Sequence, residues 1–596
     1  MNEKAIRRLI EKVRDGQVSR RAFMGRMSAA GLAMPIASLL LMDAGIAQTS
    51  SEPEYKPQKR GGGGPLRLLY WQGPTQLNPH FATGTKDGHA ANLFYESLAR
   101  WDRDAVLLPV LAAEIPSREN GGVGADGRTV TWKLKHGVKW HDGTPFTADD
   151  VIFNWRFATN PETAAITSGA YLGMKLEKVD SHTVRVVFDQ PTPFWPRTYS
   201  LVLLIPKHIF EPYIGAKSRE APQNFKPVGT GPYRIVDFRP GDMVRGELNP
   251  NYHMANRPHF DTVEIKGGGD APSAARAVLQ TGEFDYAWNL QVEDELLRKM
   301  EAGGKGRVIT SPGGSLEFIE LNYADPNTEI AGERAHAKSR HPLWQHAQVR
   351  QAMALLVDRA SIQQHIYGRG GVATANVITN PERFRSPNTR VEFSVEKANA
   401  VLDAAGWKRG GDGVREKDGR RLKALFQTSI NGPRQKVQAV VKQACQRAGI
   451  DVELKTVMAS VYFSGDVANP DTNTKFWADM QMYTFDMGPP DPQRFMDQYV
   501  SWEFATKANK WQGRNRSRWR NEEYDKLYRS AEQELDPVKR AALFIRMNDL
   551  VCGDNYIIPL LYRPEVDGAS STLVLSISGW ANATSSVHSW FRAASG

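Results

Sequence analysis

The chain has 596 residues, a formal net charge of +10, 41% hydrophobic residues and 15 tryptophans. This apolar and aromatic content indicates a folded protein and excludes a disordered chain. Basic residues are interspersed with acidic ones and form no long run of the kind that makes a nucleic-acid-binding arm. A chain of this length exceeds what a single hydrophobic core supports, so we expect two or three lobes.

The N-terminus has the pattern of a twin-arginine signal peptide. Ser19 begins the sequence S-R-R-A-F-M, which fits S-R-R-x-F-(L/M), and an apolar run of fifteen residues follows at 28–42. A membrane-spanning helix needs roughly 18 or more apolar residues, so this run predicts the core of a signal peptide and not a membrane anchor. A chance arginine pair next to a buried helix is the alternative interpretation.

The predicted signal peptide covers residues 1–47. Small residues in the sequence G-I-A place the expected cleavage before Gln48, and the rest of the chain then has about 549 residues and a formal net charge of +6. Cys445 is the first cysteine, so no lipid can be attached at the new N-terminus. We therefore expect a freely diffusing protein in the periplasm of a two-membrane bacterium, exported by the twin-arginine route and not lipid-anchored.

The densest basic stretch is R-N-R-S-R-W-R at residues 514–520. Its arginines and tryptophan could stack on nucleic-acid bases. Because the N-terminus predicts export, we interpret the stretch as a surface loop and expect no nucleic-acid partner.

The predicted elements begin after a flexible lead-in, residues 48–65, that contains four consecutive glycines. In chain order, they are a strand at 66–71, a helix at 87–98, an extended segment at 107–114, strands at 183–188 and 233–236, a helix at 274–281, a strand at 284–287, helices at 349–358 and 395–404, a strand at 422–428, a helix at 435–448, and strands at 450–454 and 557–562. Helices of ten or more residues between strands, without a fixed-period repeat, favour α/β lobes over a solenoid or a propeller.

Residues 126–155, DGRTVTWKLKHGVKWHDGTPFTADDVIFNW, combine a strand, two turns and a helix. Apolar and polar residues alternate over 129–135, which is the period of two of a half-buried strand. Two turns that contain glycine follow. Thr147 then stands at the N-cap position of a helix that we expect to begin near Ala148, with two aspartates in its first turn.

This order of elements resembles the signature of the family 5 extracellular solute-binding proteins of ABC importers, W-x-L-(K/R)-x-G-V-x-(F/W)-H-D-G-x-P-F-(T/N)-A-x-D-V, and the match is unbroken. Other patterns of that family are present too, namely F-Y-E-x-L at 94–98, G-T-G-P-Y at 229–233 and V-R-Q-A-(M/L)-x-x-x-(V/I)-D-R at 349–359. The resemblance extends from Leu66 to about Tyr562.

The resemblance implies an α/β, two-lobed periplasmic binding protein of type II, in the large cluster that has an extra inserted subdomain, with a hinge of two crossing segments. Lobes that are hinged in this way close over a ligand. The expected divisions are lobe I from residues 66–105, 191–317 and 555–596, an inserted subdomain of lobe I from 106–190, and lobe II from 318–554.

Peptide-binding members of the family place an aspartate against the free amino group of the peptide, inside a segment G-W-x-x-D-x-x-x-(D/E)-P-x-x-F. This chain reads M-Y-T-F-D-M-G-P-P-D-P-Q-R-F at 482–495, so Asp486 takes the aspartate position and Tyr483 that of an aromatic wall beside the ligand. The chain departs from the family pattern through Met-Tyr in place of Gly-Trp and through a loop lengthened by Pro489 and Pro490. The alternatives are a solvated or helix-capping Asp486 and a Tyr483 that packs in the core.

The opposing lobe of the family uses the F-Y-E-x-L region. The resemblance therefore makes Glu96, Ser97 and Leu98 candidates for contacts to the ligand backbone. Such contacts suit a peptide receptor, because extended peptides present the same N–H and C=O groups whatever their sequence.

No motif for catalysis or for a cofactor is visible in the sequence. The G-x-G-x-x-G pattern at 122–127 leads into a strand, whereas a dinucleotide site requires a helix directly after the glycines. His136 and His141 are five residues apart across a turn, and we interpret them as hydrogen-bonded or surface residues rather than zinc ligands. We therefore expect no enzyme activity, cofactor or metal, and an enzyme exported by the twin-arginine route is the alternative from a different class.

Cys445 and Cys552 are the two cysteines of the chain. Each lies in a helix-like stretch with apolar neighbours, so we interpret them as buried thiols. Because the compartment after export permits disulfides, a bridge between them stays open as the alternative.

The function that the resemblance implies is that of the periplasmic substrate-binding component of an ABC importer. Such a protein captures di- or oligopeptides, or similar amine-bearing solutes, by lobe closure and delivers them to an inner-membrane permease. We expect it to act as a monomer. Members of the same family also bind opines, oligosaccharides and nickel complexes, and these ligands are the alternatives.

Overall fold

The computed structural model describes residues 3–15, 17–29, 55–82, 84–463 and 468–593. Most of the predicted apolar run of the signal peptide and the predicted cleavage site lie outside these residues. Within the described ranges, no helix is both long enough and apolar enough to cross a membrane. Two N-terminal helices, α1 (Glu3–Arg14) and α2 (Arg20–Ala29), pack through Val13, Phe23 and Met27, and the arginine pair of the export pattern opens α2.

Helices and strands alternate along the chain, as the sequence predicts for α/β lobes. The further α-helices are α3 (Thr85–Ala91), α4 (Ala148–Thr159), α5 (Pro196–Leu201), α6 (Lys207–Phe210), α7 (Ala271–Leu279), α8 (Asp294–Glu301), α9 (Ala347–Leu355), α10 (Arg359–Ile362), α11 (Val395–Ala404), α12 (Gly432–Arg447), α13 (Ala459–Tyr462), α14 (Gln493–Met496), α15 (Glu522–Gln533) and α16 (Pro537–Gly553). The strands are β1 (Pro65–Tyr70), β2 (Ala99–Trp101), β3 (Leu107–Pro109), β4 (Thr129–Lys133), β5 (Met174–Asp180), β6 (Thr183–Phe188), β7 (Tyr233–Arg239), β8 (Met243–Leu248), β9 (Thr262–Gly267), β10 (Tyr286–Ala287), β11 (Gly306–Leu321), β12 (Glu329–Ile330), β13 (Glu333–Arg334), β14 (Val372–Ala373), β15 (Lys408–Arg409), β16 (Arg415–Lys417), β17 (Arg420–Arg421), β18 (Lys423–Ser429), β19 (Asp451–Val457), β20 (Met480–Phe485), β21 (Ile557–Ser570), β22 (Leu573–Val574) and β23 (Phe591–Arg592). Helix α11 and strand β6 coincide with the predicted elements residue for residue.

One mixed sheet runs through both lobes. Its described strands lie in the order β19-β18-β20-β11-β21-β10-β1-β9-β8-β7, and β14 pairs with β21 beside this path. Strand β1 pairs in parallel with β9 and β10, and β18 pairs in parallel with β19 and β20. The half of the sheet around β1 belongs to the first lobe, and the half around β18 belongs to the second lobe.

Two long strands connect the lobes. Strand β11 has 16 residues and β21 has 14, and they pair antiparallel along nearly their whole length. The pairing is broken between Ser311 and Ser315, where Pro312, Gly313 and Gly314 intervene. Because proline lacks a backbone N–H and glycine is flexible, this interruption, the hinge break, allows the sheet to bend. The two strands are the pair of crossing segments that the sequence predicts.

The largest hydrophobic clusters of the described chain are separate from one another. One contains Leu66 and Tyr286 in the first lobe, and one contains Phe426 in the second lobe. A third contains Trp132 and Trp140 and lies against its own sheet, in the strand order β4-β6-β5. Separate cores are what a chain of this length requires.

The sequence signature folds locally as predicted. In β4, Trp132 is fully buried while Lys133 is exposed. Helix α4 begins at Ala148, and the backbone N–H of Thr147 donates a 2.9 Å hydrogen bond to the carboxylate of Asp150. This capping contact satisfies a backbone donor at the end of the helix and confirms the predicted start.

The helix predicted at 87–98 is wrong over its second half, because α3 ends at Ala91. The carbonyl oxygen of Phe94 accepts a 2.8 Å hydrogen bond from the N–H of Gly231, more than a hundred residues away in the chain. Hydrogen bonds to distant segments thus replace the local bonds of a helix. Apolar periodicity over a short window does not indicate such partners.

Residues 514–520 form a loop, as predicted, but their interpretation as a surface loop is wrong because most of the stretch is buried. Arg518 and Trp519 are fully buried. The guanidinium of Arg518 donates hydrogen bonds to the carbonyl oxygens of Lys475 at 3.0 Å and Ala505 at 3.1 Å. Backbone acceptors therefore satisfy the buried charge, and the stretch ties together three segments of the second lobe.

Cys445 and Cys552 are free thiols, with Cys445 buried and Cys552 partly exposed. Burial raises the pKa of each thiol to about 12, so both stay protonated at neutral pH. The interpretation of the pair as thiols rather than a bridge is confirmed.

Gly229, in the G-T-G-P-Y motif, lies against the backbone of Phe94. A Cβ atom at Gly229 would lie 1.8 Å from the Phe94 carbonyl oxygen. We therefore expect Gly229→Ala to lower the free energy of unfolding in urea by about 1–3 kcal/mol, because two backbone segments must separate. Gly169→Ala is the control, since Gly169 is exposed and a Cβ there meets no atom within 4 Å. Equal stability of the two variants would contradict this expectation.

Candidate ligand-binding cleft

A cavity of about 330 Å³ opens between the two lobes beside the hinge break, and we call it the hinge cavity. The first lobe contributes α3, the segment that follows α5, and the C-terminal segment before β23. The second lobe contributes the loop after β20, and the long strand β21 contributes one acidic residue. Residues of its wall that bear on binding are His89, Ser97, Arg100, Asp486, Glu565 and Trp580.

Asp486 follows the last residue of β20 and faces the hinge cavity, where its side chain is accessible to solvent. One carboxylate oxygen, Oδ1, accepts hydrogen bonds of 3.2 Å from the Ser315 hydroxyl and from the Gly488 N–H. The walls of the cleft partly desolvate the carboxylate and so raise the pKa of Asp486 above its ordinary value, although these hydrogen bonds act in the opposite direction. Asp486 forms no salt bridge with any described residue.

A second pair of acidic residues lies on β21. Glu565 stands opposite Ser311, directly beside the hinge break, and Asp567 is two residues further along the same strand face. Burial, followed by the charges of Asp567 and Asp486, raises the pKa of Glu565 to about 8. Burial raises the pKa of Asp567 to about 6, although its Oδ1 accepts a 2.7 Å hydrogen bond from the Asn289 N–H. In the described chain, neither carboxylate has a salt-bridge partner.

Positive groups at the hinge cavity do not cancel these charges. Nε2 of His89 accepts a hydrogen bond from the N–H of Ala583 at 3.3 Å, so the neutral ring carries its proton on Nδ1, 3.0 Å from the Tyr70 hydroxyl. Burial lowers the pKa of His89 to about 3, which keeps the ring uncharged. Arg100 also lines the cavity, but it is 7% exposed and has interactions of its own.

This arrangement attracts a cation. These partly desolvated acidic groups lack a cationic partner. An ammonium group that enters the hinge cavity supplies that partner. A charge-assisted hydrogen bond of that kind contributes about 1.5–3 kcal/mol net. The cavity is therefore suited in its chemistry to an amine or another small cation.

The structure places Tyr483 away from the hinge cavity. Tyr483 is 2% exposed, its ring centroid lies 4.7 Å from that of Phe318, and its hydroxyl donates a 3.2 Å hydrogen bond to Glu320. Side chains three residues apart on a strand point to opposite faces, so Tyr483 faces the interior of the second lobe while Asp486 faces the cleft.

The three candidates of the F-Y-E-x-L region are divided by the structure. Ser97 lines the hinge cavity, and its hydroxyl donates a 2.6 Å hydrogen bond to the Ala99 carbonyl oxygen. Leu98 is fully buried in the core beside β4. Glu96 is outside the wall of this cavity and is buried in a polar cluster of its own.

The cluster around Glu96 is saturated. Its carboxylate accepts hydrogen bonds from the hydroxyls of Thr230 at 2.9 Å and Tyr252 at 2.8 Å, and it lies 3.0 Å from Nε2 of His253. Burial acts to raise the pKa of Glu96, but the charge and hydrogen bond of His253 outweigh it and the pKa is lowered. This carboxylate has its partners within the first lobe, which fits a structural role.

Sequence reasoning missed Glu565 and Asp567. The strand was predicted only for 557–562, whereas β21 continues to Ser570. A usable signal is present in the sequence E-V-D, in which two acids occupy alternate positions of a strand. Their closeness to Asp486 depends on the sheet order and could not be derived from spacing.

The histidines of the signature have structural partners. The ring of His136 stacks on His182 at a centroid distance of 4.1 Å. His141 accepts a 3.1 Å hydrogen bond from the Gly229 N–H at Nδ1 and donates one of 3.1 Å from Nε2 to the Gly231 carbonyl oxygen. Among the described residues there is no group of three or more histidine, cysteine or acidic side chains that could hold a metal ion.

Comparison with known proteins gives a consistent picture. The model of the family described as "Bacterial extracellular solute-binding proteins, family 5 Middle" matches residues 107–506. The Oligopeptide-binding protein AppA of Bacillus subtilis is 27% identical over 433 residues, which are 71% of this chain and 75% of AppA.

Solved structures share the fold. The structure of AppA from Bacillus subtilis in complex with a nonapeptide matches 90% of this chain and 100% of its own, with a TM-score of 0.71 and 24% identity. NikZ from Campylobacter jejuni in complex with Ni(L-His) matches 88% of this chain and 99% of its own, with a TM-score of 0.71 and 21% identity. These likenesses establish the two-lobed α/β fold.

Proposed function

We propose, since the chain belongs to the bacterial extracellular solute-binding proteins of family 5, that it is the receptor of an ABC importer and captures di- or oligopeptides, or similar amine-bearing solutes. The receptor delivers its ligand to the permease subunits in the inner membrane. AppA of Bacillus subtilis is an oligopeptide-binding protein, as its name states, and this relative supports the proposed ligand class.

The observation that carries the proposal is the pair of acidic side chains in the hinge cavity that lack a salt-bridge partner in the described chain. Asp486 comes from the second lobe and Glu565 from a strand that both lobes share, so a ligand amine between them touches both sides of the cleft. Electrostatic attraction selects a cation, and lobe closure removes water from the contact. The neighbouring Ser97 of the first lobe offers a polar group to the rest of the ligand.

Lobe closure is the mechanism that the fold supports. The hinge break interrupts the two long strands at the level of the hinge cavity. Contacts that a ligand makes with both lobes exist only in the closed form, so ligand binding shifts the equilibrium between open and closed forms toward closure. The permease can then distinguish the loaded receptor by its shape.

The proposal includes the route to the compartment and the division of the chain. The S-R-R-A-F-M pattern supports export to the periplasm by the twin-arginine route, and the late position of the first cysteine supports a receptor without a lipid anchor. Separate cores support lobes divided near the predicted bounds, with an inserted subdomain in the first lobe. The receptor acts as a monomer in this proposal.

Native mass spectrometry tests the proposed ligand class. We expect protein freshly isolated from the periplasm to carry a noncovalent mass that denaturation releases, and fragmentation of that mass to show a peptide or another amine-bearing solute. The Asp486→Asn variant should retain less of it, because the carboxylate partner of the amine is lost. A released solute without any cationic group, such as a neutral oligosaccharide, would contradict the proposal and favour another ligand of the family.

A further inference from the structure

A second cavity, of about 290 Å³, lies beside the first, and we call it the arginine cavity. One of its sides consists of the segments 116–127 and 192–197, and the other consists of 383–384, 489–491 and the start of α16. Its wall is apolar and aromatic over much of its area, through prolines and through Trp101, Phe194, Trp195 and Phe384. Into this wall are set the guanidinium groups of four arginines.

One of the four arginines is held in an ion pair by an acidic residue. Arg540 pairs with Asp491, and two nitrogens of its guanidinium hold the carboxylate. Arg118 is exposed at the cavity edge next to Glu119, which is exposed as well. Arg383 and Arg197, described next, leave a surplus of two positive charges.

Arg383 belongs to the second-lobe side of the arginine cavity. Its NH2 group donates a 3.3 Å hydrogen bond to the Pro490 carbonyl oxygen, while its Nε is buried and has no partner among the described residues. Burial lowers the pKa of Arg383 to about 10, against the effect of nearby Asp491, whose carboxylate Arg540 already holds. A buried donor without an acceptor is costly unless a ligand supplies one.

Arg197 belongs to the opposite side. Its guanidinium makes no hydrogen bond or salt bridge with another residue of the described chain. The carboxylate whose charge acts on Arg197 is Asp497, which is already paired with Arg514 and with Arg494. Three guanidinium groups therefore share one carboxylate, and burial together with the neighbouring arginines lowers the pKa of Arg197 to about 10.

The two cavities share their walls. The loop after β20 has Asp486 in the hinge cavity and Pro490 in the arginine cavity. Helix α5 has Arg197 near its start in the arginine cavity and Leu201 at its end in the hinge cavity. The interlobe cleft is thus polarised, with surplus negative charge in one compartment and surplus positive charge in the next.

We propose that the arginine cavity is an anion subsite that takes a carboxylate of the ligand, held by Arg197 from one side and Arg383 from the other. This proposal rests on the proposed function for the orientation of the ligand, whose amine is at Asp486. A guanidinium fork matches the two oxygens of a carboxylate, and the aromatic wall packs against the apolar group that carries it. The ligand class is therefore a zwitterion with its charges separated by an apolar or peptide body.

A carboxylate that bridges the two sides also adds to closure. Arg197 lies on the side of the first lobe and Arg383 on that of the second, so an anion that contacts both guanidinium groups joins the two lobes. The bound carboxylate thereby joins the lobes at one end of the cleft, as the ligand amine joins them at the other end.

The carboxylate preference is tested without assuming a peptide. We expect 3-phenylpropionate to bind the full-length protein in ligand-observed NMR at least about fivefold more tightly than 3-phenylpropanamide, which has the same shape without the charge. Arg383→Gln and Arg197→Gln should each remove this preference, whereas Arg276→Gln, on the exposed face of α7, should leave it intact. Equal binding of the acid and the amide, or a preference that survives both cavity substitutions, would overturn the proposal.

A peptide series separates this proposal from the proposed function. Calorimetry on trialanine to hexa-alanine, each with a free acid and with an amidated C-terminus, should show at least one length at which the acid binds about tenfold more tightly. Arg383→Gln should abolish that difference but keep the binding of the amidated peptide, which also shows that the variant is folded. If acids and amides bind alike while Asp486→Asn weakens both, the anion subsite is wrong and the amine site stands. If Arg383→Gln removes the preference for the free acid while Asp486→Asn leaves peptide affinity unchanged, the amine site is wrong and the anion subsite stands.

Discussion

Asp486→Asn is expected to weaken the binding of a peptide with a free amino group by at least about tenfold in calorimetry, because an amide cannot replace the charge of the carboxylate. Asparagine has nearly the same shape as aspartate, and its side-chain oxygen can still accept from the Ser315 hydroxyl and the Gly488 N–H. The loop after β20 should therefore keep its conformation. The loss then reports the electrostatic contact and not a rearranged cleft.

The matched ligand for this experiment is the same peptide with an acetylated N-terminus. It lacks the ammonium group, so wild type and Asp486→Asn should bind it with similar, weak affinity. Unchanged affinity of the variant for the free-amine peptide would remove Asp486 from the ligand site. That result would also return the aspartate to the alternative of a solvated residue in the loop.

Glu565→Gln is expected to stabilise the ligand-free protein at alkaline pH, by about 3 kcal/mol more at pH 8.5 than at pH 5.5. Burial and two neighbouring carboxylates raise the pKa of Glu565 from 4.5 to about 8 in the folded protein. The folded state therefore binds a proton more tightly than the unfolded state does. The stability that this proton contributes is fully present below about pH 4.5 and is lost as the pH rises through about 8.

Glutamine removes this dependence because it stays uncharged at every pH. Urea unfolding of wild type and Glu565→Gln at both pH values measures the difference, and Glu220→Gln serves as the control because Glu220 is exposed. The free energy gained by Glu565→Gln should grow as the pH rises. A gain that is the same at pH 5.5 and pH 8.5 would show that Glu565 does not titrate in this range.

The local parts of the fold follow from the sequence. The alternation in β4, the start of α4 at Ala148 and the full extent of α11 each depend on residues within a few positions of one another. Where distant segments supply the hydrogen bonds, prediction fails. The helix expected at 87–98 breaks off because Gly231 binds the Phe94 carbonyl, and the arginine-rich stretch is buried because distant carbonyl groups accept from Arg518.

The candidate site likewise contains residues that the sequence predicts and residues that it does not. Resemblance to the family placed Asp486 in the ligand site, and in the structure its carboxylate lines the hinge cavity. The same motif offered Tyr483, which strand alternation turns to the interior of the second lobe. Glu565, Arg197 and Arg383 could not be derived, because each of them joins the cleft through the order of strands and the packing of lobes.

The position of Glu565 has a consequence for how binding is communicated. Its strand partner is Ser311, at the edge of the interruption where the two long strands can flex. In the proposed receptor, the positive charge of the ligand therefore meets the protein at the pivot of the two lobes and not at their outer ends. Since a small rotation about a pivot displaces the far ends of the lobes most, a single ion contact at the centre alters the outer surface that a partner protein would recognise.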